Sequence, residues 1–391
     1  MNSQNTPVHM RLWHRDFWHM AVANLMLMTS VYMLVPTMPR WLVEVQDFSP
    51  ADAALAMAAF GVGLFTFGLF VSYLVQRFRR NHVCIWSVVV MAALIFSLYY
   101  FDTRFCQFLE LPVIILQRFL LGAFFGLAQM VLASTLIIDT CESYQRTEAN
   151  HSAAWFGRFS LSIGPLAGLL LSRYFNFDAV LLASVGCLAF TALLIIFVSF
   201  PFRAPSDDIS VTSLDRFFLT QSIPLFVNLQ LVTLAVGILM AVVLSELFYA
   251  MMMAGFLLAI LSQRFVFREA ELKSEVITGL ILIAAALLMM LTRTQQIVTF
   301  ASPLFIGFGT GIIGSRFLLF FIKLSRHCQR GTSQSTFMLG WESGIAWGLG
   351  IGIAFFYDDV KSALFVSLVL IAAALLMYNF IHTWFSHHKN R

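Results

Sequence analysis

Three ionisable residues, Arg118, Arg158 and Glu342, each fall inside a long run of apolar residues. A charge at the centre of a membrane helix costs roughly 2.5–3.5 kcal/mol on insertion scales, so such groups turn toward a bundle interior or a watered cavity. Glu342 is the one acid well inside a predicted helix. A carboxyl held among apolar neighbours can bind and release a proton, which makes Glu342 the candidate coupling acid. The rival reading is a structural ion pair at a cytoplasmic gate. Arg118 needs an acid or a polar substrate group, unless backbone carbonyls satisfy it as a structural arginine. Arg158 and Arg316 are open to the same two readings, coupling or structure. The uncharged Gln117, Asn24 and Gln129 could line the same cavity as Arg118.

Other clusters carry less chemistry. Asp207-Asp208 and Asp358-Asp359 lack the further carboxylates or histidines of a metal-dependent enzyme, and His387-His388 lies in a charged tail. The five cysteines are scattered, with neither metal-ligand spacing nor a disulfide framework. No phosphate loop of the GxxxxGK[ST] form is present, so the chain has no ATP motor. No cofactor or metal is expected.

The elements that position these residues follow from composition. Of 391 residues, 60% are hydrophobic and 11% charged, and 41 are Phe. Soluble domains run at roughly 45–50% apolar and about 25% charged. This chain cannot cover a globule with polar groups, which excludes a soluble enzyme, a nucleic-acid-binding module and a disordered protein. A bilayer core of about 30 Å takes roughly 20 apolar residues per helix. Apolar runs at 17–38, 53–75, 83–101, 111–138, 152–172, 178–200, 218–243, 247–267, 275–292, 297–322, 335–356 and 361–385 predict twelve spans. The weakest break is Ser245-Glu246. Residues 1–16 are polar and no small-residue cleavage site follows, so the first run reads as an uncleaved span.

Basic residues set the orientation. With both termini cytoplasmic, Arg40, Arg104, Arg173, Arg293 and Lys361 lie outside, and Arg118, Arg158 and Arg316 within helices. The other sixteen of the 24 Lys and Arg lie inside. The polar stretch 201–217, with Pro201 and Pro205, divides the chain into an N-terminal bundle (1–200) and a C-terminal bundle (218–391) of six helices each.

An internal repeat supports that division. Aligning Arg146 with Arg330 sets Asn150 against Gln334, Ser160 against Gly344, Gly164 against Gly348 and Gly168 against Gly352. Small residues four apart lie along one helix face and let another backbone approach closely. The same alignment sets Arg158 against Glu342, six or seven residues into predicted helices, roughly 10 Å below the cytoplasmic boundary at 1.5 Å per residue. Repeats about an axis along the membrane normal are typical of transporters, with the substrate site between the halves.

These residues resemble the major facilitator superfamily over nearly the whole chain. Gln117-Arg118 followed by Gly122 and Gly126 is similar to that family's Arg-x-x-x-Gly motif. Ser160, Gly164-Pro165 and Gly168 resemble the Gly-Pro-x-x-Gly motif of its proton-coupled drug and sugar exporters. Ser72, Gln76, Arg77, Arg79 and Arg80 form a degraded version of its Gly-x-x-x-Asp-Arg-x-Gly-Arg loop, with Gln76 where the family has aspartate. The resemblance implies an all-α membrane protein of two pseudo-symmetric six-helix bundles. It also implies a cavity arginine at 118, and an ion pair between Asp139 and Arg77 or Arg80 that holds the outward-open state. A bend at Gly164-Pro165 would then accompany the rocking motion.

The expected function is secondary active transport of a small organic solute by alternating access, driven by protons, or sodium in their place. The Gly-Pro motif favours efflux; the alternative is a proton-linked importer of a sugar, organic acid or other nutrient. A polytopic membrane enzyme and a non-transporting scaffold are the readings from other classes. The expected partners are the solute, the ion and the lipid of the cell membrane, with no nucleic acid, and the chain is expected to be a monomer.

Overall fold

A computed structural model describes residues 11–105, 110–200, 210–267 and 271–389. Cys106, Asp207-Asp208 and the first nine residues of the 201–217 loop lie outside the described residues. Among those described, twelve helices are long and apolar enough to cross a membrane, and there is no strand. They are α1 (Arg15–Glu44), α2 (Pro50–Arg77), α3 (Arg80–Phe101), α4 (Leu111–Asp139), α5 (Ser143–Tyr174) and α6 (Phe177–Ile196). The second series is α7 (Thr220–Val242), α8 (Glu246–Phe265), α9 (Leu272–Thr292), α10 (Gln296–Leu324), α11 (Arg330–Phe356) and α12 (Val360–His388). The chain is an integral membrane protein.

Local chemistry sets the boundaries. Ser49 accepts from the Asp52 N–H ahead of Pro50 and starts α2, and Ser245 accepts from the Phe248 N–H and starts α8. The Ser245-Glu246 break is therefore a helix cap, as Ser in that position favours. In α1 the helix is interrupted at Met33. Pro36 has no N–H for the Tyr32 carbonyl one turn back, which explains the break.

Packing repeats with a shift of six helices. In the first half α1 packs on α5 and α6, α2 on α4, and α3 on α4 and α6. In the second, α7 packs on α11 and α12, α8 on α10, and α9 on α10 and α12. The halves meet mainly through α2 against α11 and α5 against α8. The repeat in sequence is a repeat in contacts. A Cβ added to Gly168 would lie 2.3 Å from the Met33 carbonyl oxygen of α1. One added to Gly352 would lie 2.5 Å from Ala241 Cβ of α7. Both halves thus seat their fifth helix on their first through a stripe of small residues, as hydrocarbon-embedded helices do when packing rather than water drives association.

Two of the boundaries that differ from the hydropathy reading bear on the site. The regular helices of α5 and α11 begin at Arg146 and Arg330, not at 152 and 335. Their first turns carry Asn150, Thr332, Ser333, Gln334 and Ser335, all buried against protein. Arg158 and Glu342 accordingly sit twelve residues into their helices, roughly 18 Å along. That is near the middle of a core of about 30 Å, deeper than the sequence implied.

Candidate functional site

The site is assembled from α1, α4, α5 and α11, all of which bring polar side chains to the interface of the halves. Asn24 of α1 donates from Nδ2 to the Ala153 carbonyl of α5 at 2.9 Å. Gln129 of α4 donates from Nε2 to Asn24 Oδ1 at 3.3 Å and meets Met28 Sδ at 2.7 Å. Arg158 lies on the same cavity, with Gln334, Phe337, Met338 and Trp341 of α11 as the opposing wall. The cavity holds about 20 Å³, which is room for about one water molecule.

Arg158 is 3% exposed, and its Nε, Nη1 and Nη2 have no hydrogen-bond partner. The guanidinium lies over the Trp155 ring, 4.6 Å from its centroid. Gly314 of α10 makes room for it: a Cβ there would come within 2.7 Å of Arg158 Nε. The amide oxygens Gln129 Oε1 and Gln334 Oε1 are also buried without a partner. Buried polar atoms are rarely left unsatisfied, so this cavity concentrates unused donors and acceptors.

Glu342 is satisfied, and by the other half. The Tyr32 hydroxyl of α1 donates to its carboxylate, 2.9 Å from Oε2 and 3.1 Å from Oε1. Both residues are buried. The bond spans 310 positions in sequence and joins the halves near mid-membrane. Tyr32 is the last residue before the α1 break, and Gly164 packs against it: a Cβ on Gly164 would lie 2.5 Å from Tyr32 Cβ. Gly164 and Gly168 thus pack at the α1 break beside the tyrosine.

Other sequence candidates are placed elsewhere. Arg118 is 2% exposed, with Nε and Nη1 unpartnered, and its guanidinium sits over Phe60 of α2 at 5.2 Å. Gln117 donates to the Leu94 carbonyl of α3 at 3.1 Å, away from the Asn24–Gln129 cavity. Arg316 pairs with Glu275 of α9, 2.6 Å from Oε2. That pair lies inside the second half, and Glu275 is fully buried. Arg80 pairs with Asp139, tying α3 to α4. Arg77 lines an exposed groove with Arg79, His82 and Trp86. Gln76 donates to Ser72 Oγ at 2.8 Å, one turn back. Arg146 and Arg330 line a cavity of about 200 Å³ at the basic face, shared with Arg80, Asp139, Asp215 and Arg216.

Three contributors escaped sequence reasoning: Tyr32, Trp155 and Gln334. The repeat alignment, which pairs Gln334 with Asn150, was the available signal for the last. Further cross-half contacts flank the centre. His151 Nε2 lies 2.6 Å from Ser315 Oγ of α10. At the face opposite the basic one, Arg173 of α5 lies 3.1 Å from Glu246 of α8.

Twelve apolar helices in two matched sets, closing on a buried polar centre, define a membrane carrier. The sequence profile of the Major Facilitator Superfamily matches residues 20–354, and the chain belongs to that superfamily. No curated protein matches it in sequence. Among solved structures, a mutant of the nucleoside transporter NupG superposes with a TM-score of 0.66 at 11% identity, covering 94% of this chain and 99% of the other. The human organic anion transporter MFSD10 gives 0.65 at 13% identity, covering 92% and 98%. An auto-inhibited peptide transporter of the POT family gives 0.63 at 13%, covering 97% and 98%. At such identities the likeness is one of fold.

Proposed function

We propose that this transporter of small solutes is a proton-coupled exporter working by alternating access, as a monomer in the cell membrane with both termini in the cytoplasm. The rocking bodies are residues 1–200 and 218–391, joined by the loop 201–217. The observation that carries the reading is the Tyr32–Glu342 hydrogen bond, a titratable group bonded across the two halves near mid-membrane. An ionised carboxylate only accepts hydrogen bonds, whereas a protonated one also donates. Binding a proton therefore changes what Glu342 offers Tyr32 and removes a buried charge from the interface of the halves. That links proton occupancy to the contact that holds the halves together, which is what coupling requires. Outward transport is favoured by the Gly164-Pro165-Gly168 motif, through its resemblance to exporters. Arg80–Asp139 serves as a brace at the cytoplasmic gate, and Arg118 as a second polar group on the transport path.

The test begins with a ligand-stabilisation screen of drugs, sugars, peptides and organic acids on the purified protein. Flux assays in proteoliposomes with an imposed pH gradient follow. Glu342→Gln is expected to abolish gradient-driven accumulation while leaving exchange of solute across the membrane intact. Undiminished uphill transport by this variant removes Glu342 from the coupling role.

A further inference from the structure

The central cavity has an unbalanced charge. Arg158 brings a full positive charge and five N–H donors on a planar fork, and none of its three nitrogens is hydrogen-bonded. Its nearest support is the Trp155 face, a cation–π contact that supplies no acceptor for the N–H groups. A buried guanidinium left in this way is costly. The two buried acids are engaged elsewhere: Glu342 takes its bond from Tyr32, and Glu275 is paired with Arg316. On the same cavity Gln129 and Gln334 present carbonyl oxygens that lack donors. Asn24 apart, the rest of the wall is apolar, with Met28, Phe337, Met338 and Trp341 among its large side chains.

We infer that the solute is a small amphipathic organic anion, with its carboxylate or equivalent acid group paired to Arg158. A hydroxyl or amino group on its body donates to the Gln129 and Gln334 oxygens, and an apolar or aromatic skeleton lies against Phe337 and Trp341. This rests on the transporter reading above and adds the substrate class. Each unsatisfied set on the wall then has a complement: an anionic acceptor for the guanidinium, a donor for the amides, apolar surface for the rings. Arginine suits the role because its fork matches a carboxylate with two parallel bonds, which a lysine cannot reproduce. The cavity of about 20 Å³ admits such a solute only as α5 and α11 move apart. Loading and the opening of the halves are therefore one event.

Matched acid and amide pairs provide the test. Thermal stabilisation and counterflow are measured on the full-length protein in lipid with 4-hydroxybenzoate against 4-hydroxybenzamide, lactate against lactamide, and mandelate against mandelamide. The acid member of at least one pair is expected to bind about tenfold or more tighter than its amide, the worth of one charge-assisted pair. Arg158→Gln is expected to erase that preference, and Arg158→Lys to restore part of it. A wild-type preference for the neutral members, or an acid preference that survives in Arg158→Gln, overturns the inference and leaves the transporter reading standing. Counterflow of no solute at all, by protein whose melting is normal, overturns both.

Discussion

Positions 158 and 342 occupy equivalent places in α5 and α11, twelve residues from matching arginines, yet their surroundings differ. Glu342 is held by Tyr32 of the opposite half. Arg158 leans on Trp155 of its own helix and keeps its hydrogen-bonding capacity unused. The two helices have the same backbone role, each seated on the first helix of its half through small residues. The side chains at the equivalent position make separate contacts. One bonds across the halves and the other faces the cavity; in the proposed cycle the first carries a proton and the second an anion.

Four substitutions sharpen or break that contrast. Tyr32→Phe removes the donor to a buried carboxylate and is expected to cost about 3 kcal/mol in unfolding free energy. The same change in a Glu342→Gln background should cost far less, and equal costs in the two backgrounds would mean that the bond does not link the halves. Gly168→Ala and Gly352→Ala each push a methyl into the neighbouring helix and are expected to lose roughly 1–3 kcal/mol each, read as matching drops in melting temperature. A large loss in one half only would show that the two seats are not equivalent. Arg158→Met should leave stability within about 0.5 kcal/mol or raise it, because it deletes a buried charge without breaking a hydrogen bond. A marked destabilisation would make Arg158 a structural residue.

Much of this architecture is legible in the chain because a bilayer imposes long apolar runs, and each predicted run corresponds to a helix. The errors fall where composition and environment part company. The first turns of α5 and α11 look like loops because Asn150, Ser333 and Gln334 are polar, but they are buried in protein and pack as helix. Glu275 looks like a loop boundary because it stands three residues after Leu272, yet it is fully buried beneath Arg316. Within the site, Asn24 and Gln129 were recognisable as polar residues in apolar runs, and they do meet. Their neighbour was not: Gln117 turns to Leu94 of α3, because hydropathy identifies a buried amide without saying which face of the helix it occupies. Tyr32 had no local signal, since its role exists only through a contact with the other half.

In the proposed cycle the two halves rock about this polar centre, opening one face as the other closes. Spin labels placed at Val45 and Leu247, which line one face, and at Tyr144 and Cys328, both exposed and on opposite halves, report on it. The labels go into a chain whose remaining cysteines are replaced, and pulsed-EPR distances are recorded in lipid with and without an imposed pH gradient. One distance distribution is expected to lengthen as the other shortens, and Glu342→Gln is expected to hold both in a single position. Distances that stay fixed, or that lengthen together at both faces, would contradict it.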